Sequence, residues 1–340
     1  ESYLKAWFPI LGKYHKTIYI DGFAGPGIYK NGEKGSPIVA LTTAINHPML
    51  AKNEIHFLFV DEREDRIENL KSEISKLQIP SNFRIYTELG EFERVVGPLL
   101  DDVEKDNANL APTFAFIDPF GFSGLPFQLI SRILKFPRCE VFITFMVSFV
   151  NRFIESPDDK VKGRIVELFG SKETLQIVAG SGDRMTKLRQ LYQNQLASRA
   201  DFVRYFEMCG EDDVPIYYLF FASNNSLGHL KIKEAMWKVD EEGYFRFSDK
   251  TNPDQFVLLH ENHGERLANL LISHFKGRTK TVGEIEQHVF DHTPYVRKHL
   301  TQALALAEKQ SLISVDSTKK DGTKRRANSF PNDAIVNLNK

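Results

Sequence analysis

The sequence has 340 residues, a formal net charge of −1 at pH 7 and 42% hydrophobic residues, so it is long enough for more than one compact unit. The near-neutral charge excludes a global basic excess for nucleic acid, and any such partner must bind a local patch. No apolar stretch approaches the ~18 residues that a membrane span requires. Cys139 and Cys209 have neither zinc-type nor redox spacing. We therefore expect no metal site, buried reduced thiols and, with no signal peptide visible, a cytoplasmic protein.

The first 150 residues alternate short apolar runs with helical patterns. Between the second and third runs, Ile67, Leu70, Ile74 and Leu77 recur at helical spacing. The five strand candidates are residues 18–20, 55–60, 83–86, 114–117 and 141–147. Strands that are apolar on both faces and separated by helices predict a doubly wound parallel sheet, which binds its ligands at the C-terminal ends of the strands.

The pattern changes at residue 151. Residues 151–214 read as charged helices, for which we predict a helical insertion or cap beside the sheet. "IYYLFFAS" at 216–223 resumes the sheet, a helix follows through "LKIKEAMWKV", and "QFVLLHE" at 255–261 is a last strand or a connector. The core domain is therefore predicted to comprise residues 1–150 and 215–261.

Residues 262–340 form the third predicted domain. Three helical patterns precede "SVDSTKKDGTKRRANSF", which reads as two short strands around an Asp-Gly turn, and this order is that of a winged helix-turn-helix. The segment has 13 Lys and Arg against 8 Asp and Glu, so its basic excess is local. The predicted nucleic-acid contacts are Arg297 and Lys298 on the third helix and Lys319, Lys320, Lys324, Arg325 and Arg326 on the wing.

The most informative stretch is "TIYIDGFAGPGIYKNGEKGSPIVAL", residues 17–41. The first strand ends on Asp21, and the glycines that follow allow positive φ and close approach of a ligand. Their G-x-x-G-x-G order is not the G-x-G-x-x-G of dinucleotide sites, and Asp21 would repel a phosphate. An acid at this point favours a ligand with a cationic amino-acid end and no phosphate, which indicates S-adenosylmethionine.

Further polar residues stand where the rest of that cofactor would lie. Asp61, followed by Glu62, ends the second strand, where a carboxylate can accept both ribose hydroxyls, and Glu91 follows the third strand, where it can meet the adenine amino group. Ser36 and Pro37 are expected as N-cap and first residue of a helix, which leaves "IYKNGEKG" as an excursion that could fold over the pocket. The predicted cofactor-binding residues are Asp21, Phe23, Gly25, Gly27, Ser36, Asp61, Glu62 and Glu91.

The stretch "FIDPFG" after the fourth strand supplies the predicted catalytic residues, Asp118, Pro119 and Phe120. An exocyclic amine of a base is a poor nucleophile because its lone pair is delocalised into the ring. A carboxylate and a backbone carbonyl that accept its two protons can hold the nitrogen toward a methyl group, and Phe120 can stack on a base that has left its helical stack. The alternative for Asp118 is a turn acid without a catalytic role.

The stretches "YIDGFAGPG", "GSPIVAL", "FIDPFG" and "KEAMWKVD" together resemble the three-Cys-motif partner protein family, a group of class I methyltransferases of Rossmann-like fold. The resemblance covers nearly the whole chain. It implies cofactor contacts at Asp21, Gly25, Gly27 and Asp61, catalysis at Asp118 with Pro119 and Phe120, and a companion protein of the radical S-adenosylmethionine type encoded by a neighbouring gene.

Two better understood groups share parts of the pattern. The "GSP" turn is similar to that of a bacterial enzyme that methylates N6 of a ribosomal adenine, and "IDPFG" resembles the tRNA guanine-N2 dimethyltransferases. The usual amino-methyltransferase motif has a second proline where this chain has Phe120. Both adenine N6 and guanine N2 therefore stay open as targets.

The sequence thus predicts a methyltransferase that acts on an exocyclic amine of a base in DNA or RNA. The alternative is a non-catalytic module that recognises nucleic acid through a methyltransferase-like fold and recruits its companion protein. A nicotinamide oxidoreductase is disfavoured because the spacing of the glycines does not match its fingerprint.

Overall fold

The computed structural model describes residues 1–47, 53–177, 183–210, 212–248, 262–316 and 324–338. They fall into two compact units, one of residues 1–235 with 245–248 and the other of residues 236–244 with 262–338. "QFVLLHE" and the Asp-Gly turn of the wing lie outside the described residues. None of the described helices is long and apolar enough to cross a membrane.

Among the residues that the structure describes, eight strands form one sheet in the first unit. They are β1 (Lys16–Asp21), β2 (Glu54–Asp61), β3 (Phe83–Leu89), β4 (Thr113–Ile117), β5 (Cys139–Phe145), β6 (Phe202–Cys209), β7 (Pro215–Ser223) and β8 (Arg246–Ser248). Their order across the sheet is β3-β2-β1-β4-β5-β7-β6-β8. The five strands β1 to β5 are parallel, whereas β7 runs antiparallel to both β5 and β6.

The parallel pairing of β1 to β5 confirms the sheet predicted for the first 150 residues, and the antiparallel β7 is a feature that the sequence analysis does not include. Only residues 210–214 separate β6 from β7, too few for the crossover that parallel neighbours need, so the two strands must run in opposite directions. An order of 3-2-1-4-5-7-6 with the seventh strand antiparallel is the arrangement of class I methyltransferases. The predicted Rossmann-like, doubly wound fold is therefore confirmed.

The two faces of this sheet pack against different helices. The helices of the first unit and of the segment that leads out of it are α1 (Ser2–Leu11), α2 (Ser36–Ile45), α3 (Glu64–Ser75), α4 (Phe92–Lys105), α5 (Phe127–Leu134), α6 (Val147–Phe153), α7 (Asp159–Phe169), α8 (Thr174–Ile177), α9 (Arg184–Ala197) and α10 (Ser226–Val239). On one face, Phe57 and Phe114 meet Phe8 and Trp7 of α1, with ring centroids 6.1 and 5.8 Å apart. The opposite face is lined by aliphatic side chains that belong to the same buried cluster as those of α4 and α5.

Two features of this unit differ from the prediction or were missed. The sequence analysis does not include α1, although it buries Trp7 and Phe8. Residues 151–214 are not helical throughout, because α9 ends at Ala197 and β6 follows. The charged residues of that stretch, such as Arg204 and Glu207, led to the prediction of a charged helix. They lie on β6, which is only half-buried and near the edge of the sheet, where polar side chains are tolerated.

From residue 262 onward, the described part of the second unit contains three helices and a small sheet. Its elements are α11 (His263–Phe275), β9 (Thr279–Thr281), α12 (Val282–His292), α13 (Arg297–Lys309), β10 (Ser314–Val315) and β11 (Ile335–Asn337). The strands pair antiparallel in the order β10-β11-β9. This arrangement confirms the winged helix. The sequence analysis missed β9 because its three residues, Thr-Lys-Thr, carry no apolar alternation.

Candidate active site

Three carboxylates lie at one edge of the large sheet. Asp21 ends β1, Asp61 ends β2, and Asp118 directly follows β4. In the ladder, Asp21 stands opposite Phe59 on one side and Phe116 on the other, so each of the other acids lies two residues beyond the residue that faces Asp21. Because β2, β1 and β4 are parallel neighbours, their C-terminal ends meet and bring the three predicted acids together.

The turn after β1 is fixed by hydrogen bonds to both neighbouring strands. The Gly22 N–H donates to the Phe116 carbonyl at 2.9 Å, and the Ala24 N–H donates to the Val60 carbonyl at 2.8 Å. Gly25 and Gly27 have φ of +65° and +80°, and a Cβ on Gly27 would lie 2.9 Å from the Leu70 Cδ1. Glycine is therefore required at these two positions by the backbone and by packing, and the turn presents bare backbone.

Asp21 is fully buried, and neither of its carboxylate oxygens has a hydrogen-bond partner among the described residues. Burial raises the pKa of Asp21 to about 7. The Ser36 hydroxyl, the Phe23 N–H and the Tyr19 hydroxyl lie near enough to oppose this rise, although none of them reaches hydrogen-bond geometry, and the charge of Asp118 adds to it. A buried, unpartnered carboxylate is costly to ionise, so Asp21 is suited to a cationic ligand that the chain itself does not provide.

Asp61 is also buried, but its oxygens accept three hydrogen bonds. The Gly25 N–H donates to its Oδ2 at 2.9 Å, the Arg63 N–H to its Oδ1 at 2.9 Å, and the Arg66 guanidinium lies 3.4 Å from Oδ2. Asp61 therefore ties the glycine turn to the end of β2. A carboxylate oxygen has two lone-pair positions, so the three bonds leave one position, on Oδ1, for a ribose hydroxyl.

The catalytic candidates lie at the open side of this edge. Asp118 is exposed, yet the surrounding protein raises its pKa, and the nearby Thr144 hydroxyl opposes that rise. Pro119 is buried, whereas Phe120 is 63% exposed and has the Arg66 guanidinium 4.4 Å from its ring centroid. One face of Phe120 is thus covered by a cation, while much of the ring stays open for an aromatic ligand.

The remaining predicted cofactor residues surround the same edge. Glu91 is the N-cap of α4 and pairs with Arg94 at 3.1 Å, Glu62 is exposed, and Phe23 packs against Phe92 with ring centroids 6.0 Å apart. Ser36 is not the N-cap of α2 as predicted. Gly35 takes that position with an extended backbone, and Ser36 begins the helix with its hydroxyl near Asp21.

The excursion between the glycine turn and α2 is a short hairpin of residues 28–34. Ile28 and Lys34 form a β-bridge, and the Tyr29 N–H donates to the Glu33 carbonyl at 2.9 Å. At its base, the Gly35 N–H donates to the Gly27 carbonyl at 2.6 Å. The hairpin therefore closes on itself at the mouth of the site and holds Tyr29 next to the glycine turn.

Sequence reasoning missed Arg66 and Thr144 at this site, whereas Tyr29 belongs to the excursion that it expected to fold over the pocket. Arg66 lies between Asp61 and Phe120, Tyr29 lies over the glycine turn, and Thr144 stands beside Asp118. Arg66 follows Asp61 by five residues, so a search for cations in the first turns of α3 would have found it. Thr144 lies within an apolar strand and carries no comparable signal in the sequence. Within the described parts of the chain, no group of His, Cys, Asp or Glu is arranged to hold a metal ion.

The predicted nucleic-acid contacts divide into internal and exposed residues. The Arg297 Nη1 donates to Glu286 at 2.6 Å and to Asn332 at 3.0 Å, so this residue holds the winged helix together. Lys298, Lys324 and Arg326 are exposed. Lys319 and Lys320 lie outside the described residues. Arg297 thus has internal partners, but 36% of its side chain is exposed, and its contact with nucleic acid stays a prediction.

Arg325 is likewise an internal residue, since only 8% of its side chain is exposed. It donates to the Glu308 carboxylate, to the Ser329 carbonyl at 2.9 Å and to the Asp316 carbonyl at 3.2 Å. Its guanidinium also lies 4.9 Å from the centroid of the Phe330 ring. These contacts fasten the end of the wing to α13, and they correct the prediction that Arg325 binds nucleic acid.

We expect Arg325→Ala to lower the free energy of unfolding of the winged helix by about 2 to 4 kcal/mol, because it leaves Glu308 and two carbonyls without their donor. Arg326→Ala is the matched control and should change stability by less than about 0.5 kcal/mol. If the wing contacts phosphates, the Arg326 variant should also flatten the salt dependence of nucleic-acid binding by about one ion. Thermal unfolding and binding titrations at several salt concentrations measure both effects. Unchanged stability of the Arg325 variant would contradict the structural role.

The comparison with protein families gives a match that lies mainly in the second unit. A model of the GMT-like wHTH domain family matches residues 245–320, which is less than half of the chain. No curated protein matches the sequence. The matched residues include the helices α11, α12 and α13 and the strands β9 and β10.

Solved structures similar to this chain are methyltransferases. The O-methyltransferase TomG of Streptomyces achromogenes, involved in tomaymycin synthesis and crystallised with S-adenosylmethionine, is 11% identical, with 66% of this chain and 79% of that chain covered at a TM-score of 0.37. A Bacillus cereus O-methyltransferase in complex with SAH is 12% identical (65% and 79% covered, TM-score 0.33). The METTL16 methyltransferase domain is 11% identical (65% and 66% covered, TM-score 0.31). These TM-scores are below 0.5, so the fold assignment rests on the strand order of this chain.

Proposed function

We propose that this chain is an S-adenosylmethionine-dependent methyltransferase that modifies an exocyclic amine of a nucleic-acid base. The observation that carries the proposal is Asp21, a buried carboxylate without a partner at the end of β1, beside bare glycine backbone. S-adenosylmethionine has an ammonium group to satisfy such a carboxylate and no phosphate for it to repel. The residues present therefore fit this cofactor.

The other residues of the edge would hold the remaining parts of the cofactor. Asp21 would bind the ammonium group, the backbone at Gly25 and Gly27 would lie against the chain of the amino acid, and Asp61 with Glu62 would accept from the ribose. Glu91 at the N-cap of α4 is placed for the adenine amino group, with Phe23 beside it. When bound, the cofactor supplies an electrophilic methyl group.

The chain's own part in the reaction is to orient the acceptor. Asp118 and the backbone carbonyl that Pro119 fixes would accept hydrogen bonds from the two N–H groups of an amine, which turns the nitrogen toward the methyl group. A hydroxyl acceptor has only one proton to offer to this pair, and this difference favours an amine. Phe120, backed by Arg66, would stack on the base, and Asp118 is open enough to solvent to pass a proton on.

The nucleic-acid part of the proposal is supported by the second unit. The winged helix carries the local basic excess of the chain and exposes Lys298, Lys324 and Arg326. Such a module can hold the phosphate backbone while the first unit acts on a single base. We also propose the companion of the radical S-adenosylmethionine type that the family resemblance implies, which copurification with the neighbouring gene's product would test.

The deciding experiment is incubation with methyl-labelled S-adenosylmethionine and mixed DNA and RNA, followed by mass spectrometry of the nucleosides. The proposal expects label on N6 of adenine or N2 of guanine with the wild-type protein and none with Asp118→Ala. Label on protein alone, or on nothing, contradicts it. Nucleic-acid binding that Asp118→Ala leaves intact, without transfer by either protein, supports the non-catalytic recognition module instead.

A further inference from the structure

The helix α6 begins at the same edge of the sheet as the three carboxylates. Ile117, the last residue of β4, stands opposite Ile143 of β5, so Asp118 follows β4 at the level of Thr144. The strand β5 ends one residue later, and α6 starts at Val147. The helix therefore borders the candidate site on the side of Asp118.

α6 buries one face and exposes two aromatic rings on another. Val147 and Val150 are fully buried, whereas Phe149 and Phe153 are 39% and 37% exposed. The two phenylalanines are four residues apart, so they lie on the same face of the helix with Cβ atoms about 5–6 Å apart. The packing of α6 against the protein accounts for the valines but leaves much of these two rings open to solvent.

The rings of α6 are continuous with the loop that carries the catalytic candidates. The ring centroid of Phe122, in the loop after β4, lies 5.8 Å from that of Phe153. The exposed Phe120 precedes Phe122 by two residues. These four side chains, Phe120, Phe122, Phe149 and Phe153, are called the aromatic strip below. The strip extends from the ring that would stack on the target base to the exposed face of α6.

Two arginines lie against rings of the aromatic strip. The Arg66 guanidinium is 4.4 Å from the ring centroid of Phe120, and the Arg152 guanidinium is 5.5 Å from that of Phe153. Arg152 is exposed, and the part of the chain that the structure describes gives it no ion-pair partner. Glu155, the nearest acid along the chain, is paired with another arginine. The charge of Arg152 is therefore available to an external anion.

Exposed rings combined with an available cation are typical of surfaces that bind single-stranded nucleic acid. Successive bases of a single strand stack on aromatic side chains, and basic side chains follow its phosphates. A base inside a duplex has both faces covered by its neighbours and offers no face to such a ring. An apolar protein segment could cover the rings but would leave the charge of Arg152 unmatched. The composition of the aromatic strip therefore favours a single strand.

We propose that the aromatic strip binds single-stranded nucleic acid beside the target base: Phe120 stacks on the target base, Phe153 stacks on a neighbouring base, and Arg152 binds a phosphate of the same strand. Phe149 extends the strip to a further base. This inference rests on the function proposed above, and it narrows the substrate to a strand that is unpaired at the site of methylation.

Substitutions at Phe153 separate stacking from packing. Phe153→Tyr keeps a ring and should bind single-stranded DNA or RNA of about 12 nucleotides as the wild type does. Phe153→Leu keeps an apolar contact with Phe122 but has no ring face, so its Kd should be about tenfold higher. Fluorescence anisotropy with labelled oligonucleotides and S-adenosylhomocysteine measures both effects. The Kd for a duplex of the same sequence should not differ between the wild type and Phe153→Leu.

Arg152→Ala tests the phosphate contact. It should flatten the plot of log Kd against log salt concentration by about 0.7 for single strands, the value for one phosphate contact. The matched controls are Arg138→Ala and Tyr14→Leu, because the Arg138 guanidinium lies 4.7 Å from the ring centroid of Tyr14 at the other end of β5. Both controls should bind single strands as the wild type does.

Photocrosslinking locates the contact separately from the winged helix, which is also expected to contribute to affinity. Single strands that carry 5-iodouracil at varied positions should cross-link to a peptide of α6 that contains Phe149 or Phe153. Mass spectrometry of the digested conjugate identifies the residue. The cross-link at residue 153 should be lost in Phe153→Leu and kept in Tyr14→Leu.

The inference is overturned if Phe153→Leu and Arg152→Ala bind single strands as the wild type does, or if Phe153→Leu weakens duplex binding equally. It is also overturned if these variants lose only the companion protein on copurification, since the aromatic strip would then be a protein contact. Each of these results leaves the methyltransferase function standing when the wild type still methylates nucleosides. A wild type that neither binds nucleic acid nor transfers a methyl group would overturn both proposals.

Discussion

Asp118→Asn is expected to lower kcat for methyl transfer by about 10²- to 10⁴-fold, the range for loss of a group that handles a proton in the transition state. The amide keeps the shape of the carboxylate but has lost its charge, and it presents an N–H group where the amine needs an acceptor. Asp102→Asn on α4, also an exposed acid, is the matched control and should leave kcat unchanged. Single-turnover kinetics with labelled S-adenosylmethionine measure the effect directly.

Cofactor binding by the Asp118 variant gives an independent check. The charge of Asp118 contributes to the raised pKa of Asp21. Its removal should therefore lower that pKa and strengthen binding of S-adenosylhomocysteine slightly near pH 6.5, while catalysis collapses. Normal kcat in Asp118→Asn would show that the acid is a turn residue, as the alternative interpretation of "FIDPFG" holds.

The positions of the three acids could be predicted because they depend only on where strands end. Apolar runs mark β1, β2 and β4, and a doubly wound sheet brings the C-terminal ends of neighbouring parallel strands together whatever their side chains. What each acid does there depends on packing. Asp21 and Asp61 look alike in the sequence, yet one is left without a partner and the other accepts from Gly25 and Arg63.

For the basic residues of the winged helix, the sequence predicts where the positive charge lies but not which side chains are exposed. Counting charges correctly located the basic segment but could not distinguish Arg325 from Arg326, which are adjacent in sequence. Arg325 forms an ion pair with Glu308, which lies seventeen residues earlier in the chain. This pairing depends on the packing of the wing against α13 and cannot be inferred from sequence spacing. Arg326, its neighbour, is exposed. Residue type therefore predicts the composition of such a surface but not which cations are free to form it.

Cofactor affinity is expected to depend on pH through Asp21. In the free protein its pKa is about 7, so the carboxyl is mostly protonated at pH 6 and mostly ionised at pH 8. The ammonium group of the cofactor favours the ionised form, and an α-amino group keeps its proton up to about pH 8. The Kd should therefore fall about fivefold between pH 6 and pH 7, change little up to about pH 8, and rise again at higher pH as the ammonium group loses its proton.

Asp21→Asn removes the charge at similar volume. Its Kd for S-adenosylmethionine should be about 10- to 100-fold higher than that of the wild type at pH 7.5, and the acidic limb of the pH dependence should disappear. Asp102→Asn again serves as the control, with an unchanged pH profile. A wild-type Kd that is constant from pH 6 to pH 8 would contradict an ammonium site at Asp21.

Without cofactor, the free energy of unfolding should decrease as pH rises from 4 to 8, whereas cofactor affinity increases from pH 6 to pH 7. The sign of this change distinguishes a ligand-binding acid from a structural one. The pKa of Asp21 is raised in the folded state, so its contribution to the free energy of unfolding is fully present below about pH 4 and is lost as pH rises through 7. The loss is on the order of 4 kcal/mol for a shift from 3.8 to about 7.

Asp21→Asn avoids this loss and should unfold at a higher temperature than the wild type at pH 8, but not at pH 4. Added S-adenosylhomocysteine should narrow the difference at pH 8, because it stabilises the ionised wild type more than the variant. A structural acid would give the reverse order at pH 8, with the variant less stable than the wild type whether or not the cofactor product is present.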